Sequence, residues 1–242
     1  MTNNNTPKSI DLYPNPNSVI KESERNGIIT IGMTNLPSHF IMGYPHTRNL
    51  KKVRLALGLH PLMASSHNKE FPFFMKYLDM TSYIGEVGLD FSKDGISTKD
   101  IQINSFTKVL KAVTNNKKIL SIHSRGAEKE VLQMLQENKI ENAIFHWYTG
   151  GLQLIDEIIA SGYFFSINTA MIKSKNGQKI INRIPKEFIL TETDGPFISH
   201  NKRLVKSLDI NLIIKYLNNH LKTEQMEKQI LNNYRRLIRK IN

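Results

Sequence analysis

Four residues of a chemically useful kind stand at or just past the ends of short apolar runs. They are Glu86 in Gly85-Glu86-Val87-Gly88-Leu89-Asp90, His123 in Ser121-Ile122-His123-Ser124-Arg125, His146 in Phe145-His146-Trp147-Tyr148, and Asp194 in Glu192-Thr193-Asp194-Gly195-Pro196. Two imidazoles and two carboxylates suit a hard or borderline divalent cation such as Mg²⁺, Mn²⁺ or Zn²⁺. The chemistry such a set serves is hydrolysis, in which the cation polarises the scissile group and a carboxylate takes a proton from water. Taken singly, each residue is readily explained as a polar end to its strand. Two more residues lie close by in sequence. His60, in Gly58-Leu59-His60-Pro61, ends another apolar run, and Arg125 follows His123 by two residues, where its guanidinium can fork onto a phosphate.

The elements that must bring these residues together are legible as seven apolar runs, at 28–31, 53–59, 83–89, 119–122, 143–145, 163–167 and 188–190. Continuous runs of this length suit strands buried on both faces of a parallel sheet. Helix-like stretches lie between them. The stretch 102–113 sets Phe106, Val109, Leu110 and Val113 on one face, and 204–216 does the same with Leu204, Leu208, Leu212 and Tyr216. Alternation of this kind predicts an α/β fold built from (β/α) units, whose strand ends converge on one mouth. An eighth strand of a barrel would precede Asp11, but Thr2-Asn3-Asn4-Asn5-Thr6-Pro7-Lys8-Ser9 is unfit for an interior strand, so the first strand is expected to be degenerate or missing and residues 1–10 irregular. No linker or repeat divides the chain, and 1–242 reads as one barrel domain.

Composition narrows the function classes. The 242 residues include no cysteine, which excludes disulfides, zinc–thiolate sites, iron–sulfur clusters and a cysteine nucleophile. The opening MTNNNTPKS has no apolar core of a signal peptide and no stretch approaches a membrane span, so a cytoplasmic protein with no membrane partner is expected. Thirty-three Lys and Arg against 21 Asp and Glu give a formal charge of +12, which favours a polyanionic partner, nucleic acid before acidic membrane. A general richness in lysine, asparagine and isoleucine explains the same number without a partner. The stretch 223–240 reads as a basic amphipathic helix whose Arg235-Arg236 and Arg239-Lys240 form a solvated face.

The chain resembles the TatD-family metal-dependent DNases, a branch of the amidohydrolase-like TIM barrels. The resemblance rests on Gly58-Leu59-His60-Pro61, Gly85-Glu86-Val87-Gly88-Leu89-Asp90, Gln102 with Phe106, His123-Ser124-Arg125-Gly126-Ala127, His146-Trp147-Tyr148-Thr149-Gly150 and Thr191-Glu192-Thr193-Asp194-Gly195-Pro196, in family order across roughly residues 11 to 200. It implies a (β/α)₈ barrel that hydrolyses DNA phosphodiesters, often as a 3′–5′ exonuclease, with one or two divalent metals. It implies that Glu86, His123, His146 and Asp194 ligate metal, with Asp194 as general base, and that His60 and Arg125 hold the scissile phosphate. Asp11-Leu12-Tyr13-Pro14-Asn15-Pro16 and Trp147-Tyr148 are most similar to TatD-type members of Qat antiphage defence systems, which implies defence-system partner proteins.

One departure is large. Family members begin with an apolar strand ending in His-x-His; here that place holds Thr6-Pro7-Lys8-Ser9, and no histidine precedes His39. Three explanations stand open: a variant working with the four later ligands, a catalytically impaired nucleic-acid-binding or scaffolding subunit, or a displaced start. An amidohydrolase acting on a small cyclic amide or lactone is a further alternative, disfavoured by the charge and by Arg125. Lys173, Lys175 and Lys179, and Lys202, Arg203 and Lys206, are expected to contact the DNA backbone, preferably single strands or 3′ ends.

Overall fold

The structure is a computed structural model that describes residues 16–195, 197–200 and 203–241. Its strands are β1 (Thr30–Gly32), β2 (Val53–Leu55), β3 (Leu57–Leu59), β4 (Tyr83–Gly88), β5 (Ile119–His123), β6 (Ala143–His146), β7 (Phe164–Ile167), β8 (Ile189–Thr191), β9 (Ser199–His200) and β10 (Arg203–Leu204). The helices are α1 (Pro16–Arg25), α2 (Pro37–Thr47), α3 (His67–Tyr77), α4 (Lys99–Val113), α5 (Glu128–Glu137), α6 (Leu152–Ala160), α7 (Thr169–Lys173), α8 (Lys175–Arg183), α9 (Ile210–His220) and α10 (Met226–Ile241), with short 3₁₀ turns between some of them.

Strands β3 to β8 form one parallel sheet in sequence order, and β1 pairs in parallel with β2. The run 53–59 is thus a single course broken at Ala56, with its first half paired to β1 and its second to β4. The seven runs expected from the sequence supply all the parallel strands among the described residues. Sequential parallel strands with helices outside give the TIM-barrel-like α/β fold. The place of the expected first strand, Thr6 to Ser9, lies outside the described residues. Strands such as Phe164–Ile167 are buried along their whole length, which is why they read as unbroken apolar runs.

Helix α4 buries the expected face, Phe106, Val109, Leu110 and Val113, and adds Gln102 and Ser105 to it. The second expected helix differs. Residues 203 and 204 are in β10 and the α-helix begins only at Ile210, because the buried carboxylate of Asp209 accepts the Lys206 amide at 2.7 Å and fixes the start of the turn. Helix α10 lies across the N-terminal ends of the strands. Its Leu237 joins Ile119 of β5, Phe164 of β7 and Leu190 of β8 in a small apolar cluster, while buried Asn233 donates to the carbonyls of Lys186 and Ile189. The strand bottoms are thereby stoppered, each fully buried aliphatic side chain contributing about 1.5–3 kcal/mol. Within this helix Arg236 is not simply solvated: its guanidinium stacks over Phe164 and Phe188 and donates to the Glu187 carbonyl.

Candidate metal centre at the strand C-termini

Glu86, at the third position from the end of β4, is the hub. Its Oε1 lies 2.7 Å from His123 Nδ1 and 3.6 Å from both His60 Nε2 and His146 Nε2. His146 Nε2 is also 3.5 Å from Asp194 Oδ1. The structure therefore brings together His60, Glu86, His123, His146 and Asp194, five of the residues singled out from the sequence. The backbone of β4 is held in place from the side. Thr34, beyond β1, accepts the Glu86 amide at 3.2 Å and donates its own amide to the Gly85 carbonyl at 3.2 Å. To do so it passes directly over Gly58, where a Cβ would stand 1.6 Å from the Thr34 oxygen. The glycine of Gly58-Leu59-His60-Pro61 is thus what admits the strap that holds Glu86.

Each metal-type histidine is aimed by a carboxylate on its far side. His123 Nε2 meets Asp90 Oδ2 at 2.8 Å, and His146 Nδ1 meets Glu192 Oε2 at 2.5 Å. This leaves His123 Nδ1 and His146 Nε2 turned toward Glu86, the arrangement by which outer carboxylates orient metal-ligating imidazoles. Asp90 is itself anchored. Its amide donates to Gln102 Oε1 at 2.7 Å, and its Oδ1 accepts from the amide and the hydroxyl of Ser92. Glu192 accepts from Ser166 Oγ, from Asn168 Nδ2 at 2.9 Å and from the Trp147 amide at 3.2 Å. Trp147 and Asp194 both adopt left-handed backbone, with φ of 37° and 47°; aspartate enters this region readily, whereas a bulky Trp there is an outlier of the kind concentrated at functional sites.

His60 plays a different part. Its Nδ1 accepts the Leu62 amide at 3.2 Å, so in the neutral ring Nε2 carries the hydrogen and presents a donor toward Glu86. Although one ligand-type atom from each of His60, Glu86 and His123 lies within 4.8 Å of the others, this tautomer suits His60 to an oxyanion better than to a cation. Its carbonyl is fixed by buried His67, whose Nε2 sits 3.0 Å away and whose Nδ1 sits 2.6 Å from Ser105 Oγ. Burial, only partly countered by that carbonyl, pushes His67 down to about 4, so it serves as a neutral strut.

Electrostatics call for a cation. Four carboxyl groups, Glu86, Asp90, Glu192 and Asp194, face three imidazoles. Burial opposes charge on Glu86, but His146, His60 and His123 outweigh it and hold the carboxyl well below its ordinary range. Burial likewise opposes charge on His123, yet the hydrogen bonds it donates to Asp90 and Glu86 push it up to about 9, and His146, also opposed by burial, is held well above its ordinary value chiefly by Glu192, Glu86 and Asp194. Burial and the neighbouring carboxylates push Asp194 up to about 7 despite His146. Protons thus do the neutralising that a divalent ion would do, and the nitrogen and oxygen donors present fit such an ion. Below pH 9 a cation must displace the His123 proton, and below pH 7 that of Asp194 as well. The His146 proton must be displaced too, so cation affinity is expected to rise with pH through 9, with at least one proton released per ion at pH 8. Calorimetric titration in buffers of different ionisation enthalpy checks this; binding without proton release would contradict it.

The remaining expected residues are dispersed. Arg125 is exposed, with its guanidinium 3.8 Å from Asp94 rather than against the Glu86 cluster. Lys173, Lys175 and Lys179 are exposed on α7 and α8, which follow β7 on the same end of the sheet as the site. Lys206 pairs with Glu22 of α1 at 3.3 Å and so ties the chain to itself. Lys202 lies outside the described residues, as does the side chain of Arg203. The aiming residues Asp90, Glu192, Ser166 and Asn168 were not singled out from the sequence as functional. Asp90 and Glu192 carried a signal, each being a second acid within four residues of an expected ligand.

The family model for TatD related DNase matches residues 6–239. A human protein named deoxyribonuclease TATDN3 is 28% identical over 162 residues, which is 61% of this chain and 59% of that protein. The 3′–5′ ssDNA/RNA exonuclease TatD of Pectobacterium carotovorum is 29% identical over 149 residues, 58% of this chain and 57% of its own length. The chain thus aligns with under two thirds of the length of these relatives. The crystal structure of the TatD homologue YJJV from Escherichia coli superposes with a TM-score of 0.81 at 19% identity, covering 93% of each chain. A TatD-family hydrolase structure from Entamoeba histolytica gives 0.77 at 17% identity, over 91% of this chain and 88% of that one. At these identities the structures speak for the fold.

Proposed function

The chain belongs to the TatD-related DNase family, and from that footing we propose that it is a metal-dependent phosphodiesterase that hydrolyses DNA, as a 3′–5′ exonuclease, within a single barrel domain spanning 1–242. The observation that carries the reading is the pair of carboxylate-aimed imidazoles, His123 and His146, converging on Glu86 with Asp194 alongside. Glu86, His123, His146 and Asp194 are the residues that would hold the ion, Mg²⁺ or Mn²⁺ being the choice that suits their oxygen share and Zn²⁺ an alternative. A divalent cation held there supplies Lewis-acid polarisation of a phosphoryl oxygen and makes water a better nucleophile.

The protein's own groups do the rest. Asp194, poised near neutrality, takes a proton from the attacking water. His60 donates from Nε2 to a non-bridging phosphate oxygen, held at the right angle by its own Nδ1 contact and by His67. Arg125 swings from Asp94 onto the flanking phosphate, and Lys173 and Lys175 extend the path of the strand, giving salt-sensitive and sequence-tolerant binding. The likeness of 11–16 and 147–148 to Qat members supports a place in antiphage defence, with partner proteins of that system.

The test is shortening of a 3′-labelled single-stranded oligonucleotide with Mg²⁺ or Mn²⁺, comparing the chain with Asp194→Asn. The variant is expected to lose at least about 100-fold in rate, as expected for loss of a general base. Equal rates would refute the assignment of Asp194. No cleavage by either protein, with DNA binding retained, would favour the impaired binding subunit.

A further inference from the structure

The opposite end of the barrel carries a concentration of positive charge that the proposed reaction does not use. Between residues 48 and 54 stand Arg48, Lys51, Lys52 and Arg54, with no carboxylate among them, and all four are exposed where the chain leaves α2 and begins β2. Residues 235 to 240 of α10 bring Arg235, Arg236, Arg239 and Lys240, again exposed and again without a carboxylate. Both segments belong to the N-terminal ends of the strands, because α10 packs Leu237 on Ile119, Phe164 and Leu190 and its Lys240 donates to the Glu141 carbonyl just before β6.

The two segments are contiguous. Tyr234 of α10 shares a 2.7 Å hydrogen bond with the hydroxyl of Tyr83 at the start of β4, and the charge of Arg54 is felt at that Tyr234 hydroxyl. Beside the first segment lies a groove of about 270 Å³ whose lining includes Arg48, Arg54, Asp79, Met80, Tyr83 and Lys118. Its floor is fixed: the Lys118 ammonium, with only a tenth of its side chain exposed, donates to the carbonyls of Leu78 and Thr81 at 2.8 and 2.9 Å. Five acids on this side, Glu24, Asp79, Glu141, Glu187 and Glu227, offset part of the charge and leave the eight exposed cations in excess. Glu24 is turned onto the amides of Lys51 and Lys52, Asp79 is almost wholly in solvent 3.8 Å from Lys118, and Glu227 and Glu187 are exposed at the helix start and on the preceding turn.

We propose that this N-terminal face is a second nucleic-acid site, binding the phosphate backbone through Arg48, Lys51, Lys52 and Arg54 and through Arg235 and Arg239 of α10, remote from the Glu86 mouth. A groove with a fixed cationic floor beside one exposed basic cluster, with a second cluster on the adjoining helix, fits a polyanion of regular charge spacing. Such a site holds DNA to the protein whether or not a scissile end occupies the mouth.

The experiment measures affinity for a long labelled single-stranded oligonucleotide and for a duplex by fluorescence anisotropy, in chelator and over a range of salt. The variants are Lys51→Glu with Lys52→Glu and Arg54→Glu, and separately Arg235→Glu with Arg239→Glu. Each set is expected to weaken binding by roughly tenfold or more and to flatten the salt dependence by about one ion per cation removed. Cleavage of bis(p-nitrophenyl) phosphate, which reaches only the mouth, is expected to stay at the starting level in both. Unchanged affinity and salt slope in both sets would overturn the proposal. So would unchanged DNA binding accompanied by lost binding of poly-glutamate, which would mark the face as a dock for an acidic protein. Because binding is read without metal, failure of the hydrolysis reading leaves this result interpretable, and two separate clusters guard against misfolding of either.

Discussion

Replacing Glu86 with glutamine is expected to cost at least about 100-fold in divalent-cation affinity, the upper end of what the loss of an outer-shell partner costs, and to bring phosphodiester hydrolysis to background. The size follows from position. Among the described residues, Glu86 Oε1 lies within 3.6 Å of a nitrogen from each of three imidazoles, so the amide removes a negative charge that all three share. Asp194 cannot take its place, because it approaches only His146. In the metal-free protein the same substitution leaves His123 with Asp90 alone, so its titration is expected to fall from about 9. Two readouts check this: cation titration by calorimetry, and pH titration of the imidazole proton resonances in chelator. Wild-type cation affinity in the variant would remove Glu86 from the site.

Gly58→Ala is expected to destabilise the protein by on the order of 4 kcal/mol or more, enough to abolish a well-folded state. The added Cβ would lie 1.6 Å from the Thr34 oxygen, 2.5 Å from its carbonyl carbon and 3.0 Å from the Gly85 oxygen. All three are backbone atoms, so no side-chain rotation relieves the overlap. The strap from Thr34 must lift, and with it go the hydrogen bonds to Gly85 and Glu86 and the Thr34 hydroxyl's bonds to the Ala56 carbonyl and the Gly58 amide. Urea unfolding checks the claim; a midpoint like that of the wild type would show that the strap is dispensable. If a variant protein is recovered, weakened cation binding is expected too, since Glu86 loses its anchor.

The expected barrel strands were legible because parallel strands covered on both faces leave unbroken apolar runs, as in Phe164-Phe165-Ser166-Ile167. The break at Ala56 was not, because β2 and β3 differ only in which neighbour they pair with, and pairing leaves no mark on composition. The late start of α9 was missed for a related reason. Leu204 and Leu208 keep helical spacing with Leu212, but one buried carboxylate, Asp209, sets the turn. At the site, the residues around Glu86 were found because strand ends converge. The aiming carboxylates were not assigned a role because hydrogen bonding to the far nitrogen of an imidazole is a matter of orientation, and Asp90 and Glu192 look in sequence like any acid near a loop. Arg125 shows the reverse case: its proximity to His123 in sequence does not turn its guanidinium inward.

The position of α10 has a consequence for how the protein is made. The apolar patch it covers, Ile119, Phe164 and Leu190, is complete once β8 has been synthesised, whereas its lid begins only at Met226. On the ribosome, a nascent chain that has already assembled its strands therefore carries an open, greasy end until some forty-six further residues, through Leu237, emerge, an interval set by elongation at roughly 5–20 residues per second. During those seconds the half-closed barrel is a natural client for chaperones and a hazard for self-association. A ribosome stalled before α10 is complete would release a product that is folded over most of its length yet sticky at one pole.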